Sequence, residues 1–411
     1  MPKFRFSQLF LLIILGAVLA PVLLLVQLGF SGDNPHLFWS ALWRYGGTTL
    51  VLVLLTLLIA FLVGVIPAFF ISMYRFPARN FFRLSLLLPL ALPGYLLAYV
   101  YADFFEFSGP AQSFLRDWFG DQYSLFFEVR STGMAAILLG ISLSPYVFAF
   151  TLASLDQHAR NAFETARVLG LGAFRSFWQV IIPLSRPAWA TGLLLVAMET
   201  IADFGTVQHL AVETLTLGIF NTWLERGYLA TAARLALFAG TVVLLAGAWE
   251  NQQRGKRGFQ SSLAPKFNGG LTPKKLLGWG MFGFCALPLI IGFVFPVMVL
   301  LVFALQNLPQ FISKGFLDAL INTLYLAGNA TLFGTLIAII LALSVSRAPI
   351  NRLLLHGTLL GYMLPGTIFA LGLMLLLKWL GTGLNMMLIG GVIGLTYGYI
   401  CLLYTSPSPR D

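Results

Sequence analysis

Few side chains in this sequence are of the types that do chemistry, and most of those sit among apolar neighbours. Glu199 and Asp203 stand out. They lie four residues apart, one helical turn, in the otherwise apolar run TGLLLVAMETIADFG. A carboxylate inside a membrane is costly, and such groups usually face a bundle interior or a water path. The chemistry open to this pair is a polar lining for a cation in transit, a translocation path. The alternatives are hydrogen bonding to a neighbouring helix or, for Asp203, a water-exposed helix end. Asp203, His209 and Glu213 have the types to ligate a metal at an outer mouth, but polar loop residues far more often serve as solvated surface. No metal is assigned. The histidines His36, His158, His209 and His356 are scattered, and Cys285 and Cys401 lie far apart in apolar runs. No disulfide framework or metal knuckle follows. The sequence has no G-x-x-x-x-G-K-[ST] phosphate loop, no G-x-S-x-G elbow, no H-E-x-x-H and no paired C-x-x-C. The chain is expected to be no enzyme, to need no cofactor and to bind no nucleic acid.

Elements that hold such residues in an apolar setting must be membrane helices. The 411 residues are 58% hydrophobic and only 10% charged, with mean hydropathy +0.86. A soluble domain carries about 25% charged residues. The net charge of +10 is spread over short loops rather than gathered in one patch. Spans of about 20 residues, enough to cross the hydrocarbon, are expected at 8–28, 48–73, 84–103, 134–155, 189–205, 229–248, 277–305, 322–345 and 356–379, with a tenth from near 387. The first run has Lys3 and Arg5 before it and no clean cleavage site, so a retained helix is expected. Arg75, Arg79, Arg83, the arginines of 157–187, Arg254, Lys256, Arg257, Lys266, Lys274, Lys275, Arg347 and Arg352 fall on one side, with the N-terminus. That side is cytoplasmic by the positive-inside rule. Asp33, Glu106, Asp117, Asp121, Glu128, Glu213, Glu225 and Asp318 fall on the other.

The segment 157–187, QHARNAFETARVLGLGAFRSFWQVIIPLSRP, is the longest well-patterned amphipathic stretch. Ala162, Ala166 and Leu169 share one helical face with Phe163 nearby, while Arg160, Glu164 and Arg167 share another. Gly170 and Gly172 permit a turn. A second helix over 174–182 is expected to end at Pro183, which lacks an N–H. Helix, turn, helix would then lie on the membrane surface as a knob. The spacing Glu164, Ala166, Gly170, Val180, Ile182 and Pro183 resembles the EAA loop of type I importer permeases of the ABC transporter superfamily. Thr165, Val180 and Ile182 are mild departures from that pattern. In that family the loop is the coupling helix that docks into a groove on a separate ATPase. The resemblance therefore implies that Glu164, Ala166, Gly170 and Pro183 shape a docking knob and that Arg160 and Arg167 contact the ATPase. The other reading is an interfacial helix pair with no partner.

Pro77, Pro93 and Gly94 recur as Pro349, Pro365 and Gly366 at one offset of 272 residues. Matching hydropathy around them indicates two tandem repeats, a known transporter design with the substrate path between halves. The expected architecture is all-α: a polytopic transmembrane helical bundle with the type I ABC importer permease fold, the second repeat incomplete. Its parts are a first half over 1–250, a cytoplasmic linker over 251–275, a second half over 276–400 and a tail over 401–411. The tail CLLYTSPSPRD resembles a translated sequencing-adaptor end and reads as non-native on a truncated gene; the alternative is a natural short tail. The run 201–223, with Asp203-Phe204-Gly205-Thr206, Thr216, Gly218-Ile219 and Trp223, resembles the ferric-iron branch of these permeases. Thiamine and aminophosphonate permeases are close alternatives. The resemblance implies two copies of an ATPase subunit, a periplasmic substrate-binding protein and the bacterial inner membrane. An ion-coupled secondary transporter and an assembly scaffold are the competing classes.

Overall fold

A computed structural model of the protein describes residues 2–31, 35–120, 128–156, 160–254, 271–344, 366–379, 391 and 394–398. These residues are almost wholly helical. In chain order the elements are α1 (Pro2–Phe30), α2 (Pro35–Met73), α3 (Arg79–Ser85), α4 (Gly94–Phe105), α5 (Pro110–Phe119), α6 (Thr132–Ser154) and α7 (Arg160–Val168). Then come α8 (Ala173–Leu184), α9 (Arg186–Ala202), α10 (Gly205–His209), α11 (Leu215–Phe220) and α12 (Leu229–Arg254). The last are α13 (Lys275–Gln306), α14 (Lys314–Ser344) and α15 (Gly366–Trp379). Among the described residues five helices are long and apolar enough to cross a membrane, or seven if two sharply bent pairs each count as one span. The protein is an all-α polytopic helical bundle. The expected spans over 356–365 and beyond 387, and the recurring Pro349 and Pro365, fall largely or wholly outside the described residues.

The bent pairs depart from the expected straight spans. One helix is expected over 84–103. Instead α3 and a 3-10 turn (Leu88–Ala91) meet α4 at an angle of 85°. Pro89 and Pro93 cannot donate to the helical ladder, and Leu92 is extended at φ −97°, ψ 119°. A residue before proline is pushed out of the helical region by the ring that follows. At the second bend, α8 continues through Pro183 to Leu184 and only then turns by 72° into α9. Pro183 therefore does not end the helix. A π turn over Phe177–Ile181 precedes it, so Pro183 sits in a first turn whose N–H has no helical partner to lose.

The chain divides into two compact units. The one that holds the segment 157–187 comprises Tyr45–Thr214 and Ala248–Phe303. Lipid tails are as apolar as leucine, so helices in a bilayer associate by close packing rather than by escape from water. This unit does so through glycines. A Cβ on Gly192 of α9 would lie 2.6 Å from Val147 Cα of α6. One on Gly64 of α2 would lie 2.7 Å from Val147 Cβ, and one on Gly140 of α6 2.7 Å from Ile59 Cβ. Three backbones thus meet at Val147. The π turn Ile290–Val294 of α13 brings Gly292 against Pro89 and Ile141 in the same way. At one end of α2, Phe69 and Tyr74 gather Phe163 and Phe177 into an aromatic cluster, with ring centroids 4.7 to 6.4 Å apart.

The other unit comprises Met1–Arg44, Leu215–Gly247 and Ala304–Asp411. Here α1 and α15 pack closely, with Val18 and Phe369 buried between them and Gly372 against the backbone of Pro21. Arg234 Nε of α12 donates to the Gly29 carbonyl at 2.7 Å. Helix α14 is apolar, with mean hydropathy 1.6 over its span. By length and composition it can cross a bilayer.

Candidate functional site

The segment 157–187 folds as helix, turn, helix. Gln157, His158 and Ala159 and the side chain of Arg160 lie outside the described residues. Helix α7 buries Phe163 (1% exposed) and Ala166 (4%) against the aromatic cluster, and turns Glu164, Thr165 and Arg167 outward. It ends on a Schellman turn. Leu171 N–H donates to the Ala166 carbonyl at 3.0 Å and Gly170 N–H to the Arg167 carbonyl at 3.1 Å. Gly170 takes φ +88°, which a side chain resists. Arg167 Nη1 closes the turn by donating to the Leu171 carbonyl at 3.1 Å. Beyond it α8 runs with Phe177 and Ile181 buried and Phe174 and Trp178 exposed. Val168 (87% exposed), Leu169 (77%) and Phe174 (76%) thus form an apolar tip around Gly170, flanked by the exposed Arg167 and Arg175. Pro183 lies exposed at the far end. Tyr74 sits beneath α7; burial raises its phenol above the ordinary value, and the Arg167 guanidinium opposes that shift.

Two ties anchor this elbow. Asp156, just before α7, pairs with Arg83 of α3 and accepts a hydrogen bond from Ser72 Oγ of α2 at 3.1 Å. The chain after the linker returns to the end of α2: Leu271 N–H donates to the Met73 carbonyl at 3.0 Å and Arg75 N–H to the Leu271 carbonyl at 2.9 Å. Sequence reasoning used Arg83 only for topology and passed over Asp156. The available signal was an acid within the basic rim.

Glu199 is exposed on α9, one turn before its end. Asp203 follows the helix, and its carboxylate is engaged locally. Oδ1 accepts from the N–H groups of Thr206 at 3.0 Å and Val207 at 3.2 Å, and Oδ2 from Thr206 Oγ1 at 2.9 Å. This is how an acid caps a helix start. The turn it stabilises meets the bend before α4. A Cβ on Gly94 would lie 2.5 Å from Thr206 Oγ1, and one on Gly205 2.8 Å from Tyr95 Cβ. Above this contact is a cavity of about 670 Å³ lined by Tyr95, Leu96, Tyr99, Arg130, Gly205, Gln208 and His209. Arg130 donates from Nε to Glu106 at 3.0 Å and from Nη1 to the His209 carbonyl at 3.2 Å. The sequence reading did not single out this pocket, because its residues come from three distant stretches. Among the described residues no group of three His, Cys, Asp or Glu side chains converges to hold a metal ion, so Asp203, His209 and Glu213 are not brought together as one.

Comparison with known proteins agrees with the architecture. Residues 60–249, which include the whole elbow and the capped turn, match the family described as binding-protein-dependent transport system inner membrane component. The chain is 25% identical to the Fe(3+)-transport system permease protein FbpB 2 of Haemophilus influenzae, over 86% of this chain and 67% of that one. It is 32% identical to a probable sulfate transport system permease protein, cysT, of Chlorokybus atmophyticus, over 39% of this chain and 55% of the relative. It is 27% identical to the molybdenum transport system permease protein ModB of Haemophilus influenzae, over 45% and 85%. Residues 60–249 thus match the binding-protein-dependent transport system inner membrane component family, within a polytopic helical chain similar over most of its length to a transport system permease protein.

Proposed function

We propose that the chain is the membrane-spanning subunit of a bacterial inner-membrane ABC importer, moving ferric iron by alternating access, with its N-terminus in the cytoplasm. A periplasmic binding protein delivers cargo to the acid-rich outer face. Two copies of an ATPase close on ATP and push the elbow. The observation that carries this reading is the elbow's division of labour. Phe163, Ala166, Phe177 and Ile181 root it in the helical unit, while Val168, Leu169 and Phe174 offer an apolar tip to nothing within the described chain. An apolar tip ringed by cations suits a groove on a partner protein. Through Asp156 and Arg83, movement of α7 reaches α3 and then the bend before α4. Glu199 is the residue assigned to the translocation path; Asp203 shapes its outer end by capping α10.

Ferric iron is the cargo best supported, by likeness of the DFGT run and by the FbpB 2 relative, which covers most of this chain. Thiamine, aminophosphonate, sulfate and molybdate are the other cargoes of this class. The test is uptake into vesicles that hold the chain, alone or with its ATPase, ATP and binding protein. Radioactive iron should enter only with the full set. Equal uptake without the ATPase would overturn the proposal.

A further inference from the structure

Resting on the importer reading, we infer that the 670 Å³ cavity between α4, the residues before α6 and α10 is an outer cargo subsite for an oxyanion group, carried free or as a ligand on a metal.

Its polar lining offers a donor at every polar side chain. Arg130, Gln208, His209, Tyr95 and Tyr99 each carry a proton that can be donated to an oxygen, and no carboxylate lines the space. A bare multivalent cation would meet a guanidinium, while the nearest carboxylates, Glu106 and Asp203, are already engaged by Arg130 and by Thr206 and Val207. An oxyanion would meet charge-assisted and neutral donors together, the combination that holds sulfate-like and carboxylate groups. Arg130 is held in place by Glu106 and the His209 carbonyl through Nε and one Nη1 proton. A guanidinium has five N–H groups, so three remain for a ligand. Glu106 does the positioning from outside the lining. Among the described residues, no hydrogen bond engages the Tyr95 and Tyr99 hydroxyls or the Gln208 side chain, and both tyrosines are about half exposed. The floor is the contact of Gly94 with Thr206 and Asp203 and of Gly205 with Tyr95. The cavity also lies beside the bend before α4, and α3 on the other side of that bend carries Arg83, the partner of Asp156.

The test is equilibrium binding to the full chain in lipid nanodiscs, without ATPase. The probes are radioactive sulfate and molybdate for the free oxyanion, ferric citrate for the metal-borne one, and ferric ion with a non-coordinating counter-ion as the cation alone. At least one oxyanion probe should bind. Gln208→Ala and Arg130→Gln should each weaken it by roughly tenfold or more, and Tyr99→Phe by several-fold. Which probe wins identifies the source. Arg130→Gln also removes the tie to Glu106, so Gln208→Ala and Tyr99→Phe, which make no such tie, keep the result readable. Binding by the ferric ion alone, binding untouched by all three variants, or no binding in a well-folded wild-type chain would overturn the inference. Uptake by the complete importer that is unaffected by the same variants would overturn it while leaving the ATPase reading standing; binding without ATP-driven uptake would do the reverse.

Discussion

Gly170 occupies the left-handed region at φ +88°, and a Cβ placed there would meet nothing within 4 Å. Its requirement is therefore one of backbone, not of space. Gly170→Ala should cost about 1–2 kcal/mol locally and lower the thermal midpoint only slightly. Gly170→Asp tolerates that backbone better but sets a carboxylate in the apolar tip. Membrane insertion should be normal and transport abolished, and Glu164→Lys should behave alike; wild-type uptake by either would remove the elbow from the coupling path. Asp203 poses a different question, because its carboxylate is engaged by Thr206 and Val207. Asparagine caps about as well as aspartate, whereas alanine costs about 1 kcal/mol. Uptake should therefore survive Asp203→Asn and fall with Asp203→Ala, while Glu199→Gln should reduce uptake with the thermal midpoint unchanged. The sequence put both acids on one helix face. It could not show that a chain break after Ala202 gives the second one a capping role, since that depends on where the helix stops.

At the scale of elements, the close crossings of α2, α6 and α9 at Val147 make the unit sensitive to added volume. Gly192→Leu would drive a side chain into the α6 backbone, where little can yield. Overpacking of that kind costs about 1–3 kcal/mol, and the midpoint in detergent should drop accordingly, whereas Gly133→Ala, which meets nothing within 4 Å, should not move it. The spans were legible in the sequence because apolar length is a direct demand of the bilayer. The bends were only half legible. Pro93 marks its break, since it follows an extended Leu92, but Pro183 looks just as disruptive and is absorbed by a π turn. A proline's effect depends on the hydrogen-bond register before it, and composition does not reveal that register. The elbow was legible because a surface helix must alternate its faces. Its footing was not: Asp156, Arg83 and Ser72 come from three elements, and only folding brings them together.

For the whole molecule the question is where the energy enters. The apolar helices, α14 above all, place the chain in a membrane but would suit an ion-driven carrier equally well. Docking of the elbow's exposed tip on a partner, as proposed, would separate the two cases, because an ion-coupled machine needs no such partner. The two drives also differ in what they tolerate. If nucleotide closure on a partner supplies the work, dissipating the proton and sodium gradients should leave uptake in reconstituted vesicles near its starting rate, and exhausting ATP inside them should stop it. The coupling should then run through Asp156 as well. Asp156→Ala releases α7 from α3 and α2, so it should lower uptake while stimulated ATP hydrolysis persists, since the tip proposed to meet the ATPase is unaltered. Hydrolysis and uptake falling together would mean that Asp156 serves assembly rather than transmission. Uptake that follows the ion gradient and ignores ATP would reassign the chain to the gradient-driven class.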